Sequence, residues 1–316
     1  MHNRNLVGIL TVAMSLFFAT GLTGCSDDDG GNDNNNNDNE NTTADHLSDE
    51  MLITVAGDPD FTCEGQVDPA LSFTVETEIS GIVRDFEEDW AVEGVLVSVY
   101  ESVQDLLDDN PYDTSPASAP NGSYTVLAPP DVPRLHFKIW DPTFSDYFVT
   151  MELNEPVAGM PPGPPQTTGK DRLIISAVTM EVVPAILGIQ RIAGRGIVSG
   201  RVYDCNRDEL EHAAMRVYDG PASDPDRQLL SLYEGPQRNA FYFPAGGSIP
   251  GKDPMFTDPE GRFIVANLVA TPGEFVTMEM WGRYAGCPDG CLVSTQDLPV
   301  LPDSIVVTDM LPLYAE

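Results

Sequence analysis

Basic residues are scarce in this chain. Its 316 residues include 16 Lys and Arg against 50 Asp and Glu, which gives a formal net charge of −34. A surface this acidic repels phosphate backbones and anionic lipid headgroups, so it argues against nucleic acid as a partner and against docking on a bare membrane surface. The charge keeps a protein soluble and monomeric, and it also suits divalent cations or basic partners.

Groups that usually carry catalysis are also few. The sequence has 4 His, and it contains no H-E-x-x-H, G-x-S-x-G or phosphate-binding-loop motif. We therefore expect no catalytic constellation, no metal site and no cofactor. The 50 acidic residues leave one alternative open, which is a hydrolase whose acid and base are carboxylates dispersed along the chain.

The N-terminus has the three parts of a secretory signal. Arg4 supplies a positive charge, residues 6–18 form an apolar stretch too short for a spanning helix, and the tetrapeptide Leu-Thr-Gly-Cys ends at Cys25. This tetrapeptide resembles the bacterial lipobox, in which the cysteine becomes the lipidated first residue of the mature chain. The resemblance implies that residues 1–25 are a lipoprotein signal peptide and that Cys25 carries a lipid anchor. Ser26 after the cysteine implies sorting to the outer membrane.

The segment after the lipobox has the composition of a tether. Residues 26–50 contain nine acidic side chains, no Lys or Arg and one Leu. Such a segment cannot bury apolar surface, so we expect a disordered acidic tether here.

Five cysteines are present, and lipidation of Cys25 would leave four. An even number of thiols in an oxidising envelope predicts disulfides, with three connectivities open. The Pro-Asp-Gly between Cys287 and Cys291 suits a hairpin loop that faces these two thiols toward each other, and zinc is disfavoured because no second close pair or His cluster exists. We predict a Cys287–Cys291 bond. Cys63 and Cys205 stay as a candidate second bridge across the domains, and a bond from Cys205 to Cys287 or Cys291 is the alternative.

One strand pattern occurs twice in the rest of the chain. Residues 79–85 read Ile-Ser-Gly-Ile-Val-Arg-Asp, and residues 198–204 read Val-Ser-Gly-Arg-Val-Tyr-Asp. Each copy is followed by a second strand, at 95–100 and 213–218. The repetition predicts two copies of one supersecondary arrangement.

The shared order continues with a glycine turn and a strand that ends in tryptophan. Gly122 and Gly261 supply the two turns, and the two later strands end in Trp140 and Trp281. Copy two has a longer excursion before its turn, residues 224–257, which we interpret as an insertion. We predict equivalent positions for the two tryptophans in two β-sandwich domains.

This order resembles the carboxypeptidase regulatory-like family, a transthyretin-like β-sandwich of seven strands. The family pattern G-x-V-x-D matches residues 81–85 and 200–204, and its D-G-x-[YF] turn matches at the aromatic residues Tyr124 and Phe263, with Asn121 where Asp is commoner. The resemblance implies an accessory, adhesive or structural module, and its motifs specify a fold better than an activity.

The sequence therefore predicts an all-β chain of two tandem transthyretin-like β-sandwich domains with a short helical connector, after a signal peptide and a tether. We place the first sandwich at 51–172, the connector at 173–196 and the second sandwich at 197–316. The apolar part of the connector favours a short helix over a strand, because Pro184 disfavours a central strand and Gly188 suits a helix C-cap.

A basic and aromatic strip is predicted on one strand of the first domain. Arg134, His136, Lys138 and Trp140 alternate along the chain, so a β-strand places all four on one face. They are a candidate ligand strip for an acidic peptide or a sugar. The alternative is an ordinary half-exposed strand face whose cations balance nearby carboxylates.

These observations predict a membrane-anchored extracytoplasmic lipoprotein that acts as a non-catalytic binding, adhesion or structural module of the cell envelope. Its expected partners are a membrane, through the lipid, and an envelope protein or carbohydrate. An envelope hydrolase with a dispersed carboxylate site is the alternative. A cleft that holds a coupled acid/base pair would favour the hydrolase, and a flat exposed strip would favour binding.

Because the diacylglyceryl group needs the thiol of Cys25, the substitution Cys25→Ser should give an unlipidated and mislocalised chain. Metabolic labelling with a radioactive fatty acid, followed by fractionation, measures both effects. Label retained by the serine variant would contradict the anchor assignment.

Overall fold

The computed structural model describes most of the chain after the N-terminal region. The described residues are 55–57, 59–63, 72–143, 146–156, 166–167, 169–232, 238–247, 249–269, 271 and 273–312. The predicted signal peptide, the predicted tether and Cys25 lie outside these residues.

The first repeat is built from short strands and one short helix. In chain order these are β1 (Thr77–Asp85), β2 (Leu96–Tyr100), α1 (Val103–Leu107), β3 (Asp113–Thr114), β4 (Ser123–Ala128), β5 (Arg134–Trp140), β6 (Tyr147–Pro156), β7 (Gln166–Thr167) and β8 (Arg172–Ser176).

The second repeat follows the helix α2. The helix α2 spans Ala177–Ile186. The strands of the second repeat are β9 (Arg195–Val202), β10 (Ala214–Asp219), β11 (Ala240–Tyr242), β12 (Arg262–Val269), β13 (Phe275–Tyr284), β14 (Cys287–Pro299) and β15 (Ser304–Met310). The prediction of an all-β sandwich chain with a short helical connector is confirmed.

The ends of helix α2 are set by a capping serine at the start and a glycine after the last turn. The hydroxyl of Ser176 accepts the backbone N–H of Thr179 at 3.1 Å, which satisfies one of the free donors of the first turn. Pro184 lies inside the helix, and Gly188 follows the last turn, as the connector prediction requires. One face of α2 packs on the sheet of the second repeat through Met180 and Val183.

The two repeats share one strand arrangement. β2 pairs antiparallel with β5, and β10 pairs in the same way with β13. The register places Trp140 opposite Leu96 and Trp281 opposite Ala214, and these two partners are the second residues of the two strands 95–100 and 213–218. The two tryptophans therefore hold equivalent register positions, as predicted, but only Trp140 ends its strand, because β13 continues past Trp281 to Tyr284.

The two halves are joined by the last strand. β15 pairs in parallel with β9 on one side and with β6 on the other, so Val306 lies opposite both Val198 and Met151. One sheet therefore runs β11-β12-β9-β15-β6-β5-β2-β3, with β1, β4, β7 and β8 off this path, and β10-β13-β14 forms a second sheet. The predicted domain ranges 51–172, 173–196 and 197–316 stay a prediction, but the strands of the two repeats are hydrogen-bonded into one body.

The hydrophobic cores follow this sheet. A core within the first repeat includes Val83 and Phe137. The larger core belongs to the second repeat and includes Phe263 and Met278, but Met151 of β6 is also part of it. The first repeat thus contributes one wall to the core of the second.

The first described residues pack on the second repeat, although they precede the first repeat in the chain. The backbone N–H of Val55 donates to the carbonyl of Arg283 at 2.8 Å, and Val55 is buried in the larger core. The ring of Phe61 lies 4.5 Å from that of Tyr284, between ring centres. The chain therefore enters the folded body at the second repeat and then crosses to the first.

Two glycines of the repeated pattern stand where a neighbouring backbone passes too closely for a side chain. A Cβ atom at Gly200 would overlap the carbonyl oxygen of Thr308 in β15, and one at Gly81 would overlap the carbonyl oxygen of Lys170. The G-x-V-x-D pattern therefore has a packing reason, since it lets β9 lie against β15 at this point.

Replacing Gly200 by alanine should force β9 and β15 apart. We expect a loss of about 2 kcal/mol or more in the free energy of unfolding, because the overlapping atom is backbone and cannot turn aside. Gly251→Ala is the control, since its Cβ would meet only Pro254 Cδ at 3.4 Å. Urea unfolding followed by tryptophan fluorescence measures both variants. Equal stability of the two would contradict the close approach of β9 and β15.

Candidate functional site

The predicted ligand strip lies on one face of β5, but that face is not open. His136 is 5 % exposed, and Trp140 packs against the core of the second repeat. The ammonium of Lys138 bonds to Asp109 at 2.7 Å and lies 5.4 Å from the centre of the Trp140 ring. The structure therefore brings Lys138 and Trp140 into contact and buries His136, and ligand binding at the strip stays a prediction.

His136 does not contribute a positive charge to this face at neutral pH. The pKa of His136 is lowered to about 4, mainly by burial; the charge of Asp105 opposes this effect, and the charge of Arg134 adds to it. Its Nδ1 accepts the backbone N–H of Asn154 at 3.3 Å, which a neutral ring can do. The basic character predicted for this position is wrong, because desolvation favours the neutral imidazole.

The second repeat has a charge-reversed counterpart of the strip. Glu279 occupies in β13 the place that Lys138 occupies in β5, two residues before the tryptophan. Glu279 pairs with Arg227, and it accepts the indole N–H of Trp281 at 2.9 Å. In each repeat the strand charge is thus neutralised by an opposite charge from the chain that follows the second strand, Asp109 in the first repeat and Arg227 in the second.

The disulfide between Cys287 and Cys291 is confirmed, with 6.0 Å between the two Cα atoms. Its predicted position at a hairpin tip is wrong. Cys287 lies opposite Tyr284 and Cys291 lies opposite Gly282, so both cysteines belong to β14 and the Pro-Asp-Gly forms a bulge in that strand. The turn itself lies just before Cys287, and the bond closes the bulge.

The second predicted bridge is also present. Cys63 is bonded to Cys205, with 5.7 Å between their Cα atoms and 142 residues between them in sequence. The adjoining residues add hydrogen bonds, since the backbone N–H of Asp60 donates to the carboxylate of Asp204 at 3.0 Å. The bridge therefore fastens the first described residues to the second repeat.

The buried pair of Glu152 and Arg172 is one place to look for a dispersed carboxylate site. Burial raises the pKa of Glu152, and its carboxylate pairs with Arg172 and accepts the backbone N–H of Leu173 at 3.2 Å. The guanidinium of Arg172 lies 3.7 Å from the centre of the Phe137 ring. The pair joins β6 to β8 in the interior. Within the described ranges, no group of three His, Cys, Asp or Glu side chains could hold a metal ion.

The surface of the second repeat has two adjoining hollows. The first, which we call the basic hollow, has a volume of about 530 Å³. Its polar lining consists of two arginines and three amides, namely Arg195, Arg238, Gln190, Asn239 and Asn267. No Asp or Glu is among the described residues that line it.

The second hollow has the opposite charge. This acidic hollow has a volume of about 460 Å³ and is lined by four carboxylates, Asp219, Asp224, Asp226 and Glu274. Leu230 and Val269 line both hollows, so the two lie side by side with an apolar saddle of these two residues between them. Both volumes are in the range of small-ligand sites.

A third cavity lies beneath α2. It has a volume of about 140 Å³ and is lined mainly by apolar side chains of α2 and of the sheet, including Met180, Ile197 and Ile264. Arg262 at its wall is bound to Asp258, with 3.0 Å between the guanidinium Nε and the carboxylate. This cavity is a small gap in the packing of the connector on the sheet.

Neither arginine of the basic hollow stands out in the sequence, because Arg195 and Arg238 come from two segments that are far apart in the chain. Two signals point toward them. Arginine and lysine total 16 in the whole chain, and the insertion 224–257 contributes Arg238 to the basic hollow and Asp226 to the acidic one.

Known proteins give little guidance. No protein-family model and no curated protein matches the chain. A shaft pilin, SpaA from Lactobacillus rhamnosus GG, is 12 % identical with a TM-score of 0.23, over 75 % of this chain and 98 % of the pilin. A streptococcal ancillary pilin is 13 % identical with a TM-score of 0.21, over 76 % of this chain and 63 % of the pilin. These TM-scores are too low to carry an argument about function.

The two helices of the described part of the chain are short. Neither is long and apolar enough to cross a membrane.

The buried state of His136 predicts a pH dependence. Its folded pKa of about 4 lies below the ordinary 6.5, so only the unfolded chain takes up a proton between these values and stability is lost as pH falls. The difference in unfolding free energy between the wild type and His136→Gln should decrease by about 3 kcal/mol from pH 7 to pH 4. Urea titrations at both pH values measure it. The carboxyl groups are common to both proteins, so their contributions to the pH dependence cancel. A difference in unfolding free energy that does not change with pH would show that His136 is solvated.

Proposed function

We propose that this chain is a lipid-anchored, non-catalytic module of the cell envelope, which holds a rigid two-repeat body on a tether and binds or supports other envelope components. The observation that carries the proposal is the pairing of β15 with both β9 and β6. A continuous sheet through both repeats resists bending between them, which suits a spacer or adhesive module better than a pair of independently moving domains.

The point at which the chain enters the folded body supports an anchored role. The bridge from Cys63 to Cys205 holds the start of the folded chain on the second repeat. Any pull from an anchor at Cys25 would therefore enter the body through a covalent bond and the adjoining hydrogen bonds. Disulfides of this kind persist in oxidising compartments, which agrees with an extracytoplasmic location.

The same proposal includes the finer assignments. The repeats are carboxypeptidase regulatory-like domains of transthyretin-like topology, and the chain resides at the outer membrane, facing the periplasm or the cell surface. Its partners are the membrane, through the lipid on Cys25, and an envelope protein or carbohydrate. The repeated G-x-V-x-D pattern and the lipobox-like tetrapeptide support these assignments.

Incubation of the purified full-length chain with isolated envelope fractions tests the proposal against the hydrolase alternative. We expect the chain to sediment with the insoluble envelope material while no soluble fragments are released, because a binding or structural module retains its partners without cleaving them. Mass spectrometry of the supernatant measures the release, and heat-unfolded chain serves as the control for non-specific sedimentation.

Two results would contradict the proposal. Release of sugar or peptide fragments by the folded chain but not by the heat-unfolded chain would favour the hydrolase. Equal sedimentation of the folded and unfolded chains would show that the folded body recognises nothing in the envelope.

A further inference from the structure

The cavity beneath α2 lies where the two repeats and the connector meet. Met180 and Val183 of α2 line one side of it, and Ile197 and Ile264 of the second repeat line the sheet side. Phe86, which belongs to the first repeat, supplies a further wall. The volume of the cavity is about 140 Å³. A molecule bound in it would therefore touch both repeats and the helix that joins them.

The register of the central strands explains why apolar side chains converge at this cavity. β9 and β15 pair in parallel, with Ile305 opposite Ile197 and Val307 opposite Ser199. Successive side chains of a strand point to opposite faces of the sheet, so these four lie on the face that α2 covers, while the residues between them face the larger core. All four line the cavity. Paired strands of the sheet therefore hold this side of the cavity in place.

The wall that comes from the first repeat is fastened to the helix by hydrogen bonds. The backbone N–H of Phe86 donates to the carbonyl of Ile174 at 3.0 Å. The carboxylate of the next residue, Glu87, accepts the hydroxyl of Thr179 of α2 at 2.8 Å, and Thr179 also lines the cavity. The walls are thus positioned by the fold itself, and a preformed apolar cavity is the usual form of a small-molecule site.

The two arginines at the cavity are paired with carboxylates. Arg262 is bound to Asp258, with 3.0 Å between Nε and the carboxylate. Arg201 lies 3.4 Å from Glu209 and 3.9 Å from Glu260. An anionic ligand would compete with these carboxylates for the guanidinium groups, whereas a neutral apolar ligand gains free energy by leaving water. The lining therefore favours a neutral ligand.

We propose that the cavity beneath α2 binds a small neutral apolar molecule, about the size of one six-membered ring. A cavity of about 150 Å³ with walls of leucine, isoleucine and phenylalanine is large enough to bind benzene, and the cavity beneath α2 has a similar volume and lining. Ser199 and Val307 are half-buried, so solvent reaches the sheet at this end of the cavity. The proposal goes beyond the envelope role and does not depend on it.

Isothermal titration of the full-length chain with toluene, in a sealed cell, tests the cavity. Phenol is the matched probe, because it keeps the ring and replaces the methyl group by a hydroxyl that loses hydrogen bonds to water on burial. We expect toluene to bind at one site with a Kd on the order of 1 mM or below. Phenol should bind at least about tenfold more weakly. Toluene should also raise the thermal midpoint, since it binds the folded chain alone.

A substitution on α2 places a ring in the cavity without a ligand. Val183→Phe should weaken toluene binding at least about tenfold and raise the thermal midpoint of the ligand-free chain, because the new side chain occupies the cavity. Val182→Phe is the matched control on the same helix, since the lining includes Val183 and leaves out Val182. The control should bind toluene like the wild type.

A second variant keeps the test decisive if Val183→Phe does not fold. Ile197→Ala enlarges the cavity, so it should accept a longer ligand. In the wild type, toluene should raise the thermal midpoint more than n-propylbenzene at the same concentration, and in Ile197→Ala this order should reverse. Ile79→Ala is the control, because Ile79 is similarly buried but lies in the core of the first repeat. It should keep the order of the wild type.

Each outcome decides for or against the site. Binding of toluene at one site, removed by Val183→Phe and kept by Val182→Phe, would support it, as would the reversed order in Ile197→Ala. No saturable binding by the wild type, equal binding of phenol, or binding that Val183→Phe leaves unchanged would overturn it. The sedimentation experiment is independent of these results, since it reports on envelope material and not on a cavity of this size.

Discussion

The parallel pairing of β15 with β9 and β6 is the interaction on which the rest of the structure depends. It makes one sheet out of two repeats, and it places Met151 of the first repeat in the core of the second. It also explains the glycine of the repeated pattern, because Gly200 lies against the backbone of Thr308. Since β15 is the last strand of the described chain, the sheet is complete only when the end of the chain has been positioned between strands that precede it by long distances in sequence.

The scarcity of cations makes each one informative. Several of the cations neutralise a carboxylate within the fold. The pairs are Arg172 with Glu152, Lys138 with Asp109 and Arg227 with Glu279. The last two pairs lie at equivalent positions of the two repeats. The strand residue is the cation in the first repeat, Lys138, and the anion in the second, Glu279. In the basic hollow, Arg195 and Arg238 donate hydrogen bonds to the backbone carbonyls of Asn267 and Ala240.

The strands of the two repeats and the insertion in the second repeat have different roles in the structure. The paired strands, the shared core and the two disulfides supply rigidity, and the insertion at 224–257 adds a surface with its own charges. Binding residues on loops that a rigid scaffold positions are common in β-sandwich proteins, because loop changes leave the core intact.

The sequence by itself determined what depends on near neighbours in the chain. Alternating residues and glycine turns predicted the strands and the matching register of Trp140 and Trp281. The Pro-Asp-Gly between Cys287 and Cys291 predicted the bond between them, although it forms a bulge and not the expected hairpin. Only the tertiary structure decided which distant strands pair, because hydrogen-bonding edges of many strands are interchangeable in local sequence. It also decided that His136 is buried and neutral, since an alternating pattern identifies the residues on one face but not what covers that face.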